Sequence, residues 1–314
     1  MGRISRFLGL CLTAALLVSC GGGGGASAPA EDDALTCSDA LGRTVTVSHP
    51  RRVAALIGSF ADIWCLAGGH DTLVAAADDA WTSFSLGLDD SVANLGKIKQ
   101  PNLELLLGTQ PDLILASSNT AADVALQGVL EDSGLNVAYF KVTDFDDYLS
   151  MLDLCTQITG QRDRYRQYGL DLEAQIDAAR ARADGSAPRV LYIRSTGASC
   201  KVKNSQDSVL GEMLADLGCV NIADGDAALL EQLSMESILA QDPDYIFLVL
   251  QGSDPGPAQE TLDRTLRSDP AWQTLTAIQE GRCYVMDNQL FNLKPNARWG
   301  EAYETLADIL YPAP

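Results

Sequence analysis

A short element occurs twice in this chain, at residues 102–115 (NLELLLGTQPDLIL) and at residues 234–247 (SMESILAQDPDYIF). In each copy a glutamate, Glu104 or Glu236, lies seven residues before a Pro-Asp pair and is flanked by apolar residues at helical spacing. Each glutamate is therefore predicted at the edge of a buried face, in the first turn of a short helix. The proline ends that helix, and the apolar run after it predicts a buried strand. The repeat predicts two lobes of similar construction.

Apolar runs and amphipathic segments alternate around both copies. Besides the runs within the repeat, strands are predicted at 53–57, 73–77, 137–140, 190–193, 220–222 and 283–286. Helices are predicted at 60–67, 121–133, 209–217, 261–267, 271–278 and 297–310. Strands that alternate with helices are typical of mainly parallel sheets. The predicted fold class is α/β, with two Rossmann-like lobes and a ligand cleft between them.

Residues 161–183 lie between the two lobes and contain one glycine, Gly169. Apolar and aromatic residues form a single stripe along this segment: Tyr165, Tyr168, Leu172, Ile176 and Ala179. A helix of about 20 residues is about 30 Å long, which is enough to bridge two small domains. We therefore expect one long helix to join the lobes, to limit their closure and to leave the cleft largely preformed.

The first twenty residues have the features of an export signal. Arg3 and Arg6 precede an apolar stretch that ends in Leu-Val-Ser-Cys at Cys20. This ending resembles a bacterial lipobox, whose cysteine carries the lipid of the mature protein. Cys20 is therefore the predicted lipidation site, and the glycine-rich segment after it is a predicted flexible tether to the cell membrane. No later segment is apolar for long enough to cross a bilayer.

These patterns divide the chain into six parts. They are a signal peptide at 1–20, a flexible linker at 21–36, a first α/β lobe at 37–143, connecting helices at 144–186, a second α/β lobe at 187–290, and a C-terminal helix at 291–314 that packs back on the lobes. Both lobes are long enough to contain a core of their own.

Six cysteines remain once Cys11 is removed with the signal peptide and Cys20 carries lipid. Six cysteines allow fifteen pairings, and the sequence selects none of them. Cys65, Cys155 and Cys219 lie in apolar helical patterns, which favours buried free thiols.

Several kinds of chemistry are excluded. The formal net charge of −20, without any basic stripe, argues against a nucleic-acid partner. Motifs of common hydrolases, of P-loop proteins and of dinucleotide-binding proteins are absent. With only His49 and His70 in the chain, we expect no metal site and no cofactor. No spacing of acids identifies a general acid and base, so the chain is predicted not to be an enzyme.

Four features of the sequence occur together. They are the lipobox with its glycine-rich tether, residues 39–56 (DALGRTVTVSHPRRVAAL), the two glutamate elements, and residues 269–287 (DPAWQTLTAIQEGRCYVMD). In combination they resemble the substrate-binding lipoproteins of bacterial ABC importers for iron-siderophores, haem and cobalamin, over residues 38–312. The resemblance implies two α/β lobes with one rigid connecting helix, and a ligand that is held between the lobes and delivered to a permease dimer with its ATPase.

The resemblance also implies that one glutamate of each lobe meets arginines of the permease. The matching positions are Glu104 and Glu236. A helix dipole favours an acid in the first turn by about 0.3–1 kcal/mol, so helix position alone would explain either residue. Their matched occurrence in both lobes favours permease docking.

Loops after the strands are expected to line the cleft, because ligands of open α/β sheets bind beyond the carboxyl ends of the strands. These loops offer seven candidate ligand-binding residues: Ser59, Trp81, Ser118, Asn119, Arg194, Gln251 and Phe291. Cations near the same loops favour an anionic ligand, although each lysine could equally be an exposed, solubilising charge: Lys97, Lys99, Lys201, Lys203, Lys294 and Arg298.

The chain is accordingly predicted to be a lipid-anchored, extracytoplasmic receptor that captures a ferric siderophore for an ABC importer. A corrinoid is the second candidate ligand. Haem is the third, since it needs an axial ligand and only Tyr139, Tyr192, Tyr284 or Met286 would serve. Two alternatives of other classes remain, a surface lipoprotein hydrolase that uses cleft carboxylates and a structural or adhesive lipoprotein without a cleft ligand.

Overall fold

In the computed structural model of this protein, residues 34–312 are described, apart from Asp207 and Ser253. The predicted signal peptide, the predicted lipidation site Cys20 and most of the linker 21–36 lie outside the described residues. All the described residues belong to one compact unit.

The described chain alternates between strands and helices. The strands are β1 (Leu35–Ser38), β2 (Thr44–Val47), β3 (Val53–Ala55), β4 (Leu73–Ala76), β5 (Ala93–Asn94), β6 (Leu113–Ser117), β7 (Val137–Phe140), β8 (Arg189–Ser195), β9 (Cys200–Lys203), β10 (Val220–Asn221), β11 (Tyr245–Leu250) and β12 (Cys283–Met286). The α-helices are α1 (Gly58–Leu66), α2 (Asp79–Thr82), α3 (Leu103–Gly108), α4 (Ala121–Ala125), α5 (Gln127–Asp132), α6 (Phe145–Thr159), α7 (Arg162–Tyr165), α8 (Asp171–Arg180), α9 (Val209–Asp216), α10 (Ala227–Glu231), α11 (Met235–Gln241), α12 (Gly256–Leu262), α13 (Thr276–Gln279), α14 (Asn288–Phe291) and α15 (Trp299–Leu310). Short 3-10 helices lie at His70–Thr72, Pro270–Thr274 and Asn296–Arg298, and π-helical turns lie at Arg166–Leu170 and Asp263–Arg267.

Each lobe is built on one five-stranded sheet. The first sheet is parallel throughout, in the order β5-β4-β3-β6-β7. The second has the parallel order β10-β8-β11-β12, and β9 adds to β8 as an antiparallel strand. The order β4-β3-β6-β7 thus corresponds to β10-β8-β11-β12, which confirms the predicted α/β fold of two similar lobes. β9 was not predicted, because its sequence CKVK has no apolar run.

A hairpin precedes the first five-stranded sheet. β1 and β2 pair as an antiparallel ribbon that the sequence did not predict. β1 begins at Leu35, within the segment that was assigned to the linker. Gly42 has a φ of 77° in the turn between the two strands, a conformation that favours glycine.

The central strands are buried on both faces, as is usual for parallel sheets that are covered by helices. Leu113 and Leu115 of β6 belong to a core that extends through both lobes, whereas Ile114 and Ala116 belong to a core of the first lobe. Strands of the second sheet alternate in the same way between the shared core and a core of the second lobe. Residues of α15 also belong to the shared core.

The connection between the lobes includes the helix that was predicted at 161–183. It begins with α6, which ends at Gly160 with a left-handed φ of 71°. Helical backbone then resumes and runs through residues 162–180. The connection therefore consists of two helical segments that pack against each other.

The second segment contains a π-helical turn at Arg166–Leu170. Gly169 lies in this turn against α6, and a Cβ atom there would be 3.0 Å from Cδ2 of Leu149. The hydroxyl of Tyr148 donates a hydrogen bond to the carbonyl of Tyr168 at 2.7 Å, which satisfies an acceptor of the widened turn. The periodicity of the sequence did not predict this turn.

The stripe that was predicted along this segment is largely buried. Leu172, Ile176 and Ala179 of α8 are buried, while Tyr165 and Tyr168 are half-buried. α8 packs on α15, so the connection is attached to the shared core along its second half.

Candidate ligand cleft

The carboxyl ends of the two sheets border a cleft between the lobes. One cavity of this cleft has a volume of about 790 Å³. Thr82 and Ser83, which follow β4, line this cavity on the side of the first lobe. Polar side chains that follow β11 and β12 line the opposite side: Gln251, Asp287, Asn288, Gln289 and Asn292.

A smaller cavity of about 190 Å³ adjoins the first, because Asn292 lines both. Asn119 and Thr143 line it from the first lobe, and Tyr192 and Arg194 line it from β8. Nη1 of Arg194 donates to Oδ1 of Asn292 at 3.2 Å, which links β8 to the segment after β12. The two lobes therefore enclose a large and a small compartment side by side.

Lys294 lines the 190 Å³ cavity and also a third cavity of about 290 Å³. Burial lowers the pKa of Lys294, whereas Asp79 and Asp147 act in the opposite direction. Within the part of the chain that the structure describes, its ammonium has no hydrogen-bond or ion-pair partner. The cleft thus contains a half-buried cation that is not neutralised by direct contact.

Two carboxylates hold the loops that follow β3 and β6. Oδ1 of Asp79 accepts from the backbone N–H of Gly58 at 2.8 Å, and Oδ2 of Asp123 accepts from that of Ser117 at 2.8 Å. Burial raises the pKa of Asp79 to about 6 and that of Asp123 to about 7. Oδ1 of Asp123 has no partner among the described residues. These acids position cleft loops by satisfying backbone donors that the strands leave unpaired.

Asn296 attaches the cleft segment after β12 to the first lobe. It is fully buried, with a left-handed φ of 51° that asparagine tolerates better than most residues. Its amide donates to the carbonyl of Ser59 at 2.9 Å and to Oδ2 of Asp62 at 2.8 Å. Burial raises the pKa of Asp62, and the bond from Asn296 opposes that rise. The position of the cleft segment is therefore set by α1 of the other lobe.

Three of the seven predicted ligand-binding residues line the cavities. Gln251 lines the 790 Å³ cavity, and Asn119 and Arg194 line the 190 Å³ cavity. Ser118 is half-buried beside Asn119, and its hydroxyl donates to the carbonyl of Phe140 at 3.2 Å. Trp81 is half-buried in α2 and packs against the shared core, next to the cavity-lining Thr82.

Two predicted ligand-binding residues belong to the interior instead. Ser59 is 2% exposed at the start of α1, and Phe291 is 1% exposed in the shared core. Sequence position placed both after strands, but burial removes both from the cavity walls. In α14 the apolar Phe291 packs inward, while its neighbours Asn288 and Gln289 line the cavity. The run of amides around Phe291 was the sequence signal that could have identified these lining residues.

Glu104 and Glu236 have the environment that the repeat predicts. Each is exposed in the first turn of a helix, α3 or α11. The helices start with side-chain caps, since Asn102 accepts from the backbone N–H of Leu105 at 3.0 Å and Ser234 accepts from the next turn in the same way. A crossover helix starts at the carboxyl edge of its sheet, so both acids lie on the cleft side of their lobes.

The other predicted cations and haem ligands have mixed positions. Arg298 is paired with Glu301 by two hydrogen bonds of 2.7 Å, so its charge is already neutralised. Lys97, Lys99 and Lys201 are exposed.

Among the predicted haem ligands, Tyr139 is fully buried and donates to the carbonyl of Asp123, which contradicts its role as an axial ligand of haem. Tyr192 and Met286 line the small and the large cavity, respectively, and Tyr284 is half-buried and stacks on Phe247.

The described cysteines are free thiols. Cys155 is buried, Cys65 and Cys219 are half-buried, and burial raises the pKa of all three thiols. Over residues 34–312, with the two gaps, no group of three or more His, Cys, Asp or Glu side chains could hold a metal ion. No helix in that range is both long and apolar enough to span a bilayer.

Comparison with known proteins adds the family and the fold. Residues 53–290 match the periplasmic binding protein family. The iron-uptake system-binding protein of Bacillus subtilis is 23% identical over 219 residues, which are 69% of this chain and 66% of the relative. The cobalamin-binding protein of Halobacterium salinarum is 25% identical over 282 residues, which are 86% of this chain and 74% of the relative.

The same architecture occurs in solved structures. The petrobactin-binding protein YclQ of Bacillus subtilis superposes with a TM-score of 0.71, over 88% of this chain and 99% of that chain. Its sequence identity is 16%, so the likeness concerns the fold. Two lobes with a cleft between them are therefore common to this chain and that structure.

Proposed function

This chain belongs to the periplasmic binding protein family, and from that premise we propose that it is the solute-binding component of an ABC importer with a ferric siderophore as its ligand. The observation that supports this function most directly is the 790 Å³ cavity between the lobes, which lies within the size range of small-molecule sites. The iron-uptake relative and the petrobactin-binding structure are consistent with an iron chelate as ligand.

The polar groups of the cavity lining are compatible with an oxygen-rich chelate. They are mainly amides and hydroxyls, and they lie beside apolar side chains such as Leu250, Val285 and Met286. A buried polar group without a partner costs about 1–3 kcal/mol. A chelate with many oxygen atoms would satisfy these amides. A corrinoid remains the second candidate, since the relative from Halobacterium salinarum is named for cobalamin.

The hydrolase alternative finds less support. Asp79 and Asp123 are occupied with backbone donors, and neither lines the cavities described above. Asp287 is the acid that lines the large cavity, and it caps α14 by accepting from the backbone N–H groups of Gln289 and Leu290. A capped acid without a second carboxylate beside it does not form a general acid and base pair.

Titration of the full chain in detergent tests the ligand. We expect one ferric siderophore, from a panel with ferric petrobactin, ferric citrate, cyanocobalamin and haemin, to bind with 1:1 stoichiometry and to quench tryptophan fluorescence through Trp81. Gln251→Ala should weaken binding about fivefold, the equivalent of one hydrogen bond of about 1 kcal/mol. Gln100→Ala is the matched control, because Gln100 is exposed and does not line the cavities.

Two results would contradict this function. If the protein binds haemin or cyanocobalamin saturably and no siderophore, its ligand is a different one of the same importer class. Turnover of a chromogenic ester or glycoside panel, abolished by Asp287→Asn, would favour a hydrolase.

We further propose that Cys20 carries the lipid that anchors the receptor to the cell membrane. The support is the Leu-Val-Ser-Cys ending of the export signal and the glycines that follow it. Cys20→Ala should abolish incorporation of labelled palmitate and release folded receptor, whereas Cys11→Ala should still be labelled. Palmitate labelling of the Cys20→Ala variant would contradict the anchor.

Glu104 and Glu236 are proposed to dock the receptor on the permease dimer. Their support is geometric, since both are exposed at equivalent helix starts on the cleft side of their lobes. Arginines of the permease would pair with one glutamate from each lobe.

A further inference from the structure

The 190 Å³ cavity collects hydrogen-bond donors. Arg194 uses one N–H for Asn292 and keeps the others, and the ammonium of Lys294 has no direct partner in the described chain. The amide nitrogen of Asn292 is also left as a donor, because its oxygen accepts from Arg194. No carboxylate is found among the described residues that line the cavity. Such a lining is complementary to an anion with several acceptor atoms.

Tyr192 supplies an independent sign that a ligand belongs here. Its side chain is 0% exposed and lines the cavity, yet its hydroxyl has no hydrogen-bond partner within the described chain. A buried hydroxyl without a partner costs about 1–3 kcal/mol, so such groups are rare unless a ligand or water completes them. An acceptor atom in the cavity would satisfy this hydroxyl.

The start of α9 adds further donors. Ser208 and Val209 line the cavity, and the helix begins at Val209. The hydroxyl of Ser208 donates to the carbonyl of Asn204 at 3.3 Å and does not cap the helix. Backbone N–H groups of the first turn and the helix dipole therefore favour negative charge at this end.

We propose that this cavity is an oxyanion subsite, which binds one carboxylate or phosphate group between Arg194, Lys294, Tyr192 and the start of α9. One water takes about 30 Å³ of liquid volume, so a cavity of 190 Å³ has room for an oxyanion. Asp79 and Asp147 influence Lys294 without lining the cavity, so they leave the anion position open.

Two sources could supply this oxyanion. Because Asn292 lines both cavities, a carboxylate arm of a chelate in the large cavity could extend into the small one. A free inorganic oxyanion could instead bind beside the chelate. The subsite rests on the proposed function only if the oxyanion is an arm of the chelate.

Calorimetric titration of the full chain with phosphate and with iron-free citrate, at low ionic strength, tests the subsite. We expect saturable binding of at least one anion and weakening by about tenfold in Tyr192→Phe, the loss of a hydrogen bond to a charged group. Tyr192→Phe removes a hydroxyl that has no partner, so the thermal midpoint of the anion-free protein should not fall. A merely structural role of Tyr192 would lower that midpoint and leave anion binding unchanged.

Lys294→Met should weaken anion binding at least as much. Lys99→Met is its control, since Lys99 is an exposed lysine that does not line the cavity. Competition between anion and siderophore identifies a chelate arm, and simultaneous binding identifies a free anion. Two results would overturn the subsite and leave the proposed function intact. One is an anion affinity that is unchanged in both Tyr192→Phe and Lys294→Met. The other is a protein that binds no anion and whose siderophore affinity is unchanged in both variants. If the protein binds an anion in a way that depends on Tyr192 but binds no chelate, the proposed function is refuted and the subsite is supported.

Discussion

The two lobes share a framework and differ at the cleft. In both, the aspartate of the Pro-Asp pair connects the end of the glutamate helix to the first strand of the sheet. Asp112 accepts from the backbone N–H groups of Arg51 and Arg52 at 2.8 and 3.0 Å, and Asp244 accepts from that of Arg189 at 2.8 Å. The side chains of Arg52 and Arg189 each donate to a carbonyl at the end of the glutamate helix. The repeated residues of the sequence therefore make equivalent hydrogen bonds in the two lobes.

At the carboxyl edges the lobes are not alike. The first lobe holds its loops with the carboxylates of Asp79 and Asp123, whereas the loop after β8 is held by the hydroxyl of Ser195, which donates to the carbonyl of Ala258 at 2.7 Å. The second lobe also adds β9 along the end of β8 and presents Arg194 to the small cavity. Equivalent residues thus build the lobes, and non-equivalent residues build the cleft.

The largest expected effect concerns the two docking glutamates. Loss of one member of a close charge pair costs about 2–5 kcal/mol, and 2 kcal/mol weakens association about thirtyfold. Glu104→Lys and Glu236→Lys should therefore bind ligand normally but reduce uptake by cells, and the double variant should abolish it. Asp132→Ala and Glu231→Ala are matched controls for exposed acids of each lobe. Wild-type uptake by the double variant would show that the glutamates are helix-start residues only.

The next effect concerns the pH dependence of stability, in which a buried aspartate of the first lobe should differ from an exposed one of the second. The ordinary pKa of an aspartate is 3.8 and that of Asp123 is about 7 in the folded state, so the folded protein keeps a proton that the unfolded chain loses. Stability from this group is fully present below about pH 4 and is lost as pH rises through about 7, by up to about 4 kcal/mol. Asp123→Asn keeps an acceptor for Ser117 and should flatten the decline in unfolding free energy, measured in urea between pH 5 and pH 8.

Asp224→Asn is the matched control for this change. Asp224 accepts from the backbone N–H of Ser205 at 2.8 Å, as Asp123 does from Ser117, but it is exposed in the second lobe. The two variants differ chiefly in burial. An identical pH profile for both variants would contradict a special role of the buried acid in the first lobe.

A smaller difference is expected between the two Pro-Asp aspartates. Each backbone hydrogen bond contributes about 1 kcal/mol, so Asp112→Ala should lower the free energy of unfolding by about 2 kcal/mol and Asp244→Ala by about 1 kcal/mol. Urea midpoints measure this ratio. Equal losses in the two variants would show that the second bond to Asp112 contributes nothing.

The smallest effect is the change that ligand binding is expected to cause in the relative positions of the lobes. The shared core and α15 join both sheets, and the segment at 162–180 packs on α6 and α15. Solution scattering profiles with and without siderophore should therefore nearly superimpose. A compaction as large as that of a hinge-joined receptor would refute this rigidity.

Local pattern was sufficient for the framework. Continuous apolar runs predicted β7 and β12 at their observed bounds. Helical spacing also located Glu104 and Glu236 in the first turns of α3 and α11. The periodicity missed the π-helical turn at Arg166–Leu170, where Gly169 lies against Leu149 of α6.

The sequence by itself determined two α/β lobes, most of their parallel strands and the matched exposed acids, because these depend on residues that are neighbours along the chain. Only the tertiary structure decided the walls of the cleft. Ser59 and Phe291 follow strands as Gln251 does, yet packing between the lobes buries the first two and leaves Gln251 at the cavity. The orphaned hydroxyl of Tyr192 is likewise invisible in a buried strand. Which side of a short element faces a cavity depends on contacts between residues that are distant in sequence, and local periodicity contains no information about them.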